Sequence, residues 1–366
     1  MSNDLMNARL DDTKDLEDAL SSTVVQRLST LPFTDIYFSA NGKVMIKGFD
    51  YKDNNLNGLP ASVLMELDQL GKLILRKAAR QDEFFLDFGG IRYRIAALST
   101  VQGQLYVARR AMANVPNIQD LNIFTPTRGR RLAAIGHSGG LILIAGRTGN
   151  GKTTTAYSLL KYYLSTLGNT GITIEDPVEM TLSGPVGKRG GYCFQTELKS
   201  GQSYSDALKV VLRAHPRFIL LGEMREAEDA YAALRAAISG HLVISTIHAG
   251  NVQEAIEAMI VLAASKGMSE TFASSQLSTG LVAVIHQRMM HSRSGKFQKV
   301  NVETLFIDKN DAGIRNLIKK GDIPKLGTYI AAQASEMKIE DGGGSAKRLE
   351  SITASSKRLL KKRVHE

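Results

Sequence analysis

The chain has 366 residues, 43% of them hydrophobic, with one cysteine and a formal net charge of +10. That length suits two domains better than one. No apolar run reaches the roughly 18 residues of a transmembrane helix, and the lone Cys193 excludes an internal disulfide or a multi-cysteine zinc site.

The acidic, polar start, MSNDLMNARLDDTKDLEDAL, is read as no signal peptide, and a cytoplasmic location is expected. Residues 15 to 30 have amphipathic helical spacing. TDIYFSANGKVMIKGFD (34 to 50) reads as a hairpin turning at Asn41-Gly42. SVLMELDQLGKLILRKAA (62 to 79) has helical periodicity, and FFLDFGGIRYRIAAL and QLYVARRAM read as strands. An α+β module over 1–113 is expected, then a linker over 114–130, NVPNIQDLNIFTPTRGR, with prolines and few periodic apolar positions.

A second domain is expected over 131–340. LILIAG, GITIED, RFILLGEM and HLVISTIH are short apolar runs with helical patterns between several of them. Continuous apolar strands separated by helices imply an α/β fold with a mainly parallel sheet buried on both faces. Ligands of such sheets sit at the carboxyl ends of the strands, so the polar ends of these four runs should share one edge. The glycine patch DGGGSA (341 to 346) reads as a hinge before a basic tail. The last 22 residues carry seven Lys and Arg against two Glu, half of the net excess. Such a tail suits a solvated segment or a contact with a membrane surface or acidic partner.

GRTGNGKT (146 to 153) fits the phosphate-loop pattern without mismatch, after a strand and before a helical stretch. Gly146, Arg147, Thr148, Gly149, Asn150, Gly151, Lys152, Thr153 and Thr154 are therefore the nucleotide-binding candidates. Backbone N–H groups would line the phosphates, Lys152 would reach the β- and γ-phosphates, and Thr153 would offer a hydroxyl to Mg²⁺. ITIEDPVE places Glu175, Asp176 and Glu179 after a buried strand. Carboxylates beside a polyphosphate make sense with Mg²⁺ or a polarised water between, so Glu175 and Asp176 join Thr153 as metal candidates. FILLGEMRE (218 to 226) resembles a Walker B strand, but Gly222 stands where many nucleotide motors with that strand carry an Mg²⁺-binding Asp. Glu223 remains to orient or deprotonate the attacking water, with Glu175 as a second candidate.

The order GRTGNGKTT, ITIEDPVE, LRAHPRFILLGEMRE, GHLVISTIHAGN resembles the PilT/GspE secretion ATPases, with their Walker A, Asp box, Walker B and His box. The resemblance runs from about residue 30 to 337 and includes GIRNLIKKGDIPKLGTYIAA, similar to a C-terminal segment of the PilT branch. It implies an N-terminal PAS-like domain followed by a RecA-like P-loop NTPase domain, ATP and Mg²⁺ as cofactors, and a homohexamer driven by domain movement. His248 matches the His-box histidine, which the resemblance gives a role in sensing the γ-phosphate. Among the arginines of RYRIAAL and YVARRA, strand alternation puts Arg92 and Arg94 on one face. Arg94 and Arg110 are taken as arginine fingers, with Arg109 as even a candidate as it is a solvated residue.

Arg217 departs from the acidic residue usual before the Walker B strand, and the four-cysteine module of the GspE branch is absent from the sequence. These features resemble the smaller conjugation and type IVB secretion ATPases such as DotB, serving inner-membrane components of a secretion machine from its cytoplasmic face. The alternative is a type IV pilus retraction or assembly ATPase of the PilT kind. A nucleic-acid translocating motor would need a basic path with aromatics, and aromatics are 6% with no Trp, so no direct nucleic acid is expected. A non-hydrolysing assembly module is the other rival, told apart by turnover.

Overall fold

The computed structural model describes residues 27–31, 33–47, 59–79, 81–111, 114–121, 123–199, 201–264, 269–291 and 297–342. The helix read at 15 to 30 lies mostly outside them, as does the tail from 343 onward. The chain divides into two compact units, Met1–Ala113 and Asn114–Glu366.

The first unit contains β1 (Asp35–Ser39), β2 (Val44–Lys47), α1 (Ala61–Ala78), β3 (Glu83–Phe88), β4 (Ile91–Thr100) and β5 (Gly103–Arg110). Its antiparallel sheet has the order β2-β1-β5-β4-β3. The hairpin read around Asn41-Gly42 forms, with Phe38 opposite Val44. Gly89 and Gly90, both at positive φ (58° and 75°), make the two-residue turn between β3 and β4, a conformation that side chains resist. Val63, Leu67, Leu70 and Ile74 form one stripe of α1. They join Ile36, Tyr93, Ile95 and Ala108 in the core of this unit.

This sheet decides the arginines. Arg92 and Arg94 alternate with buried Ile91, Tyr93 and Ile95, so they share the open face as alternation requires. Arg109 pairs with Arg94 on one side and Asp35 on the other, and its Nε donates to Asp35 Oδ1 at 2.7 Å. Arg110 pairs with Tyr93 and points to the covered face. There it donates to the carbonyls of Leu31 (2.7 Å) and Ser29 (2.9 Å) and lies over the Phe33 ring. Arg94 and Arg110, the two residues read as arginine fingers, therefore lie on opposite faces of the sheet. Neighbours on a strand point opposite ways, so the partner of Arg94 on its face is Arg109. Arg94 itself donates to Glu83, at 3.1 Å in an exposed pair, a contact worth little in water. Arg110→Ala should cost about 1–3 kcal/mol of unfolding free energy, the scale of charged hydrogen bonds lost from carbonyls. Denaturant unfolding of the chain reads this directly.

The second unit begins with α2 (Pro126–Ile135), β6 (Gly140–Ala145), α3 (Lys152–Leu167), β7 (Thr170–Glu175), β8 (Gly184–Val186) and β9 (Gly191–Glu197). It continues with α4 (Tyr204–Leu212), β10 (Phe218–Glu223), α5 (Ala227–Ile238), β11 (Leu242–Ile247), α6 (Val252–Ala264) and α7 (Glu270–Gly280). The hairpin β12 (Leu281–His291) and β13 (Phe297–Phe306), then α8 (Ala312–Lys320) and α9 (Leu326–Gly342), complete the described part. The sheet order is β13-β12-β6-β11-β10-β7-β9-β8. The six inner strands are mutually parallel, and an antiparallel strand closes each end.

The apolar runs are continuous because alternate residues enter different cores. Leu141 and Leu143 join the cluster with α5, α6 and α7, while Ile142 and Ile144 join the cluster with α3. The expected linker is not free. Val115, Ile118 and Ile123 are buried, and the first two belong to the core under α3. Lys161 Nζ donates to the Val115 carbonyl at 2.6 Å, and α2 starts at Pro126. Three aliphatic side chains in a short segment were enough to fold it onto the second unit. Of the glycine patch read as a hinge, only the first two residues are described, and both are helical. Asp341 and Gly342 end α9, and Asp341 Oδ1 accepts the Thr127 N–H at 2.9 Å.

Candidate nucleotide site

Parallel register brings the polar strand ends together. Ile247 pairs with Ala145, Thr246 with Glu223, and Leu221 with Ile174. Gly146, Glu175, Glu223 and His248 therefore share one edge of the sheet.

The loop 146–151 leaves β6 and turns into α3 at Lys152. Gly149 (φ 79°) and Gly151 (φ 78°) occupy the left-handed region. A loop bent this way can point successive N–H groups at an anion, beside the unpaired N–H groups that begin α3. Arg147, Thr148 and Gly149 are exposed at the lip, whereas Asn150, Thr153 and Thr154 are half-buried. The Lys152 side chain is 8% exposed and folds back into the loop. Its Nζ donates to the carbonyls of Gly146 (2.9 Å) and Arg147 (3.4 Å) and stands 4.0 Å from Glu223 Oε1. Burial pulls its pKa below the ordinary lysine value, and Glu223 and then Glu179 pull it partly back.

Glu223 is the hub. One carboxylate oxygen meets His248 Nε2 at 2.5 Å, and the other accepts from Arg225 Nε (3.1 Å) and a terminal guanidinium nitrogen (3.0 Å). A register shift between Leu221 and Glu223 places Gly222 at a bulge, and its carbonyl accepts the Thr246 hydroxyl at 3.0 Å. A Cβ on Gly222 would come within 2.7 Å of the Tyr204 hydroxyl. An aspartate at this position would have to displace the Tyr204 hydroxyl. Burial, with Asp176 next, pushes the Tyr204 phenol up to about 12.

Glu175 is corrected. Its side chain is not open to a metal or a water. It is buried, it accepts the Tyr157 hydroxyl, and Gln195 Nε2 donates to its other oxygen at 3.3 Å. Burial holds its carboxyl above the ordinary range against the hydrogen bonds that lower it. Gln195 also ties down the loop that follows β7. Its Oε1 accepts the N–H groups of Leu182 (2.6 Å) and Ser183 (2.9 Å), and its Nε2 donates to the Met180 carbonyl (2.8 Å). Glu175 thereby anchors the loop that leaves Asp176 and Glu179 exposed. Tyr157→Phe should cost about 1–3 kcal/mol of stability, because a buried carboxyl and a buried amide each lose a partner. Chemical unfolding measures it.

Among the described residues no group of three His, Cys, Asp or Glu could hold a metal. Of the residues read for Mg²⁺, Thr153 is half-buried and Asp176 is exposed. Tyr157, Gln195, Tyr204 and Arg225 were not read from the sequence. Arg225 had a signal, two residues after Glu223 in GEMRE; the others are single polar residues on buried elements.

The family described as Type II/IV secretion system protein matches residues 76–321, well over half of the 366 residues. The chain belongs to this family. Among its relatives in the type II/IV secretion family is the Twitching motility protein of Neisseria gonorrhoeae, 31% identical over 254 residues, which are 68% of this chain and 64% of that one. The chain spans less than two thirds of the length of the first curated relatives it matches, 46% and 64%. The solved pilus retraction motor PilT with bound ADP aligns with a TM-score of 0.66 at 24% identity, over 87% of this chain and 88% of that chain. The ATPase DotB of Legionella pneumophila aligns at 0.64 and 21%, over 90% and 93%. At these identities the likeness is one of fold. It bears out the expected N-terminal α+β domain followed by a RecA-like domain with a mainly parallel sheet. No described helix of this type II/IV secretion family member is long and apolar enough to cross a membrane.

Proposed function

We propose that this chain is a Mg²⁺-dependent ATP-hydrolysing motor subunit that drives a type IV secretion or conjugation apparatus through nucleotide-driven domain movement, as a homohexamer. The observation that carries the reading is the cluster at one sheet edge. A buried lysine closes the phosphate loop, 4.0 Å from a glutamate that a histidine and an arginine hold in place. The loop N–H groups and Lys152 bind the phosphates. Mg²⁺, when bound with ATP, supplies charge neutralisation there, beside Thr153 and Asp176. Glu223 takes the proton from the attacking water, and His248, bonded to it, links the γ-phosphate edge to α6. The proposed cations for the transition state are Arg94 and its open-face neighbour Arg109, in place of Arg94 and Arg110. Partners would be inner-membrane components at the cytoplasmic face, with the basic tail as a further contact.

A second reading, a pilus retraction or assembly ATPase, is favoured by the relative named for twitching motility. Purified chain should release phosphate from Mg²⁺-ATP with no stimulation by single-stranded DNA. Absence of turnover from an assembled ring would leave an assembly module, and DNA stimulation would revive the nucleic-acid motor. Restoring twitching to a strain without its retraction motor separates pilus from secretion work. Arg94→Ala should lower turnover by about 10³-fold, the scale of an arginine finger. Adding Glu223→Gln subunits to Arg94→Ala subunits then shows, by recovered turnover, whether the arginine serves another subunit.

A further inference from the structure

We infer that Gln287 on β12 is the positioning residue that pre-forms the phosphate loop for ATP; this rests on the reading of that loop as the phosphate site. Gln287 is 2% exposed and uses both ends of its amide. Its Nε2 donates to the main-chain carbonyl of Asn150 at 2.5 Å, and its Oε1 accepts the Thr155 hydroxyl at 2.8 Å. Two residues on, the Met289 N–H donates to Asn150 Oδ1 at 3.2 Å. The contact is also steric. A Cβ on Gly146 would meet the Gln287 carbonyl at 2.5 Å, and one on Gly151 would meet the Met289 methyl at 2.8 Å. Residues 287 to 289 therefore form the surface on which both ends of the loop are moulded.

The consequence follows from peptide geometry. In a trans peptide the C=O and the next N–H point opposite ways. Holding the Asn150 carbonyl toward β12 turns the Gly151 N–H away from β12. Gly151 sits at φ 78°, ψ 21°, where it leads into α3. Without the donor on Gln287, the Asn150–Gly151 peptide loses the bond that fixes its carbonyl, and the glycine at 151 lets it turn more easily. ATP would then have to order it on binding, which weakens ground state and transition state alike. No motif containing Gln287 marks this role in the sequence, because the residue lies 137 positions from Asn150.

The test is Gln287→Met, which keeps the shape and removes both hydrogen bonds. ATP affinity by titration and steady-state hydrolysis are measured on the full chain. Loss of binding shared by ground and transition state raises KM and leaves kcat. The expected result is a rise in Kd and KM for ATP of about tenfold, the scale of a buried hydrogen bond, with kcat at saturation within about threefold of wild type. A lesion that merely loosened the fold would lower the active fraction, and so kcat, at unchanged KM. That pattern, or unchanged values throughout, overturns the inference. Should Gln287→Met fail to fold, Thr155→Val carries the same test, because it keeps the shape and removes the hydroxyl that holds the Gln287 amide in place. It should raise KM several-fold with kcat kept, and an unchanged KM would overturn the inference. A wild-type chain that binds no ATP would instead bring down the underlying reading of the loop.

Discussion

Lys152→Ala is expected to weaken ATP binding by at least about 10²-fold, the scale of removing one partner from a desolvated charge pair. The ammonium is buried by the loop, and among the described residues it meets the carbonyls of Gly146 and Arg147 and, at 4.0 Å, Glu223. Incoming phosphates would exchange those carbonyls for anionic oxygens, a stronger partner for a cation. The substitution should leave the fold intact. Burial depresses the lysine pKa, so the folded state bears the charge at a cost that the alanine removes. Titration with ATP, run beside thermal unfolding, separates the two effects. Near-wild-type affinity in a folded variant would show that the phosphates do not lie in this loop.

Glu223→Gln is expected to keep ATP binding and lower kcat by about 10²-fold or more, as loss of a general base does. The amide preserves the shape, and its oxygen still accepts from Arg225, but it cannot hold a proton taken from water. Single-turnover hydrolysis at saturating ATP reads the chemical step. A rate barely changed would move the base to Glu179, an exposed carboxylate of the ITIEDPVE segment whose charge also acts on Lys152. Glu175 is not the substitute, since Tyr157 and Gln195 already engage it.

Much of the site was legible because its motifs are local. GRTGNGKT needs only a strand before it and a helix after it, and both are visible in the apolar pattern. The four strand ends were legible as a set, because buried parallel strands read as uninterrupted apolar runs. What local pattern could not show was the direction of each side chain once packed. Glu175, Asp176 and Glu179 look equivalent in ITIEDPVE. In the fold one anchors a loop from inside, and two stay outside.

The sequence by itself determined the phosphate loop, the shared edge of β6, β7, β10 and β11, and the presence of Glu223 and His248 on that edge. Uninterrupted apolar runs, each ending in a polar residue, carry this, because buried parallel strands expose their carboxyl ends along one edge and such runs depend only on neighbouring residues. Tertiary structure alone decided that Arg109 rather than Arg110 stands beside Arg94, because cross-strand pairing with β4 sets the face. It decided that residues 114–130 belong to the second unit, through burial of Val115, Ile118 and Ile123. It also decided that the Tyr204 hydroxyl stands where a side chain on Gly222 would reach and that Gln287 holds Asn150. Each of these is a contact between residues far apart in the chain, and packing chooses among faces and partners that composition and spacing leave equal.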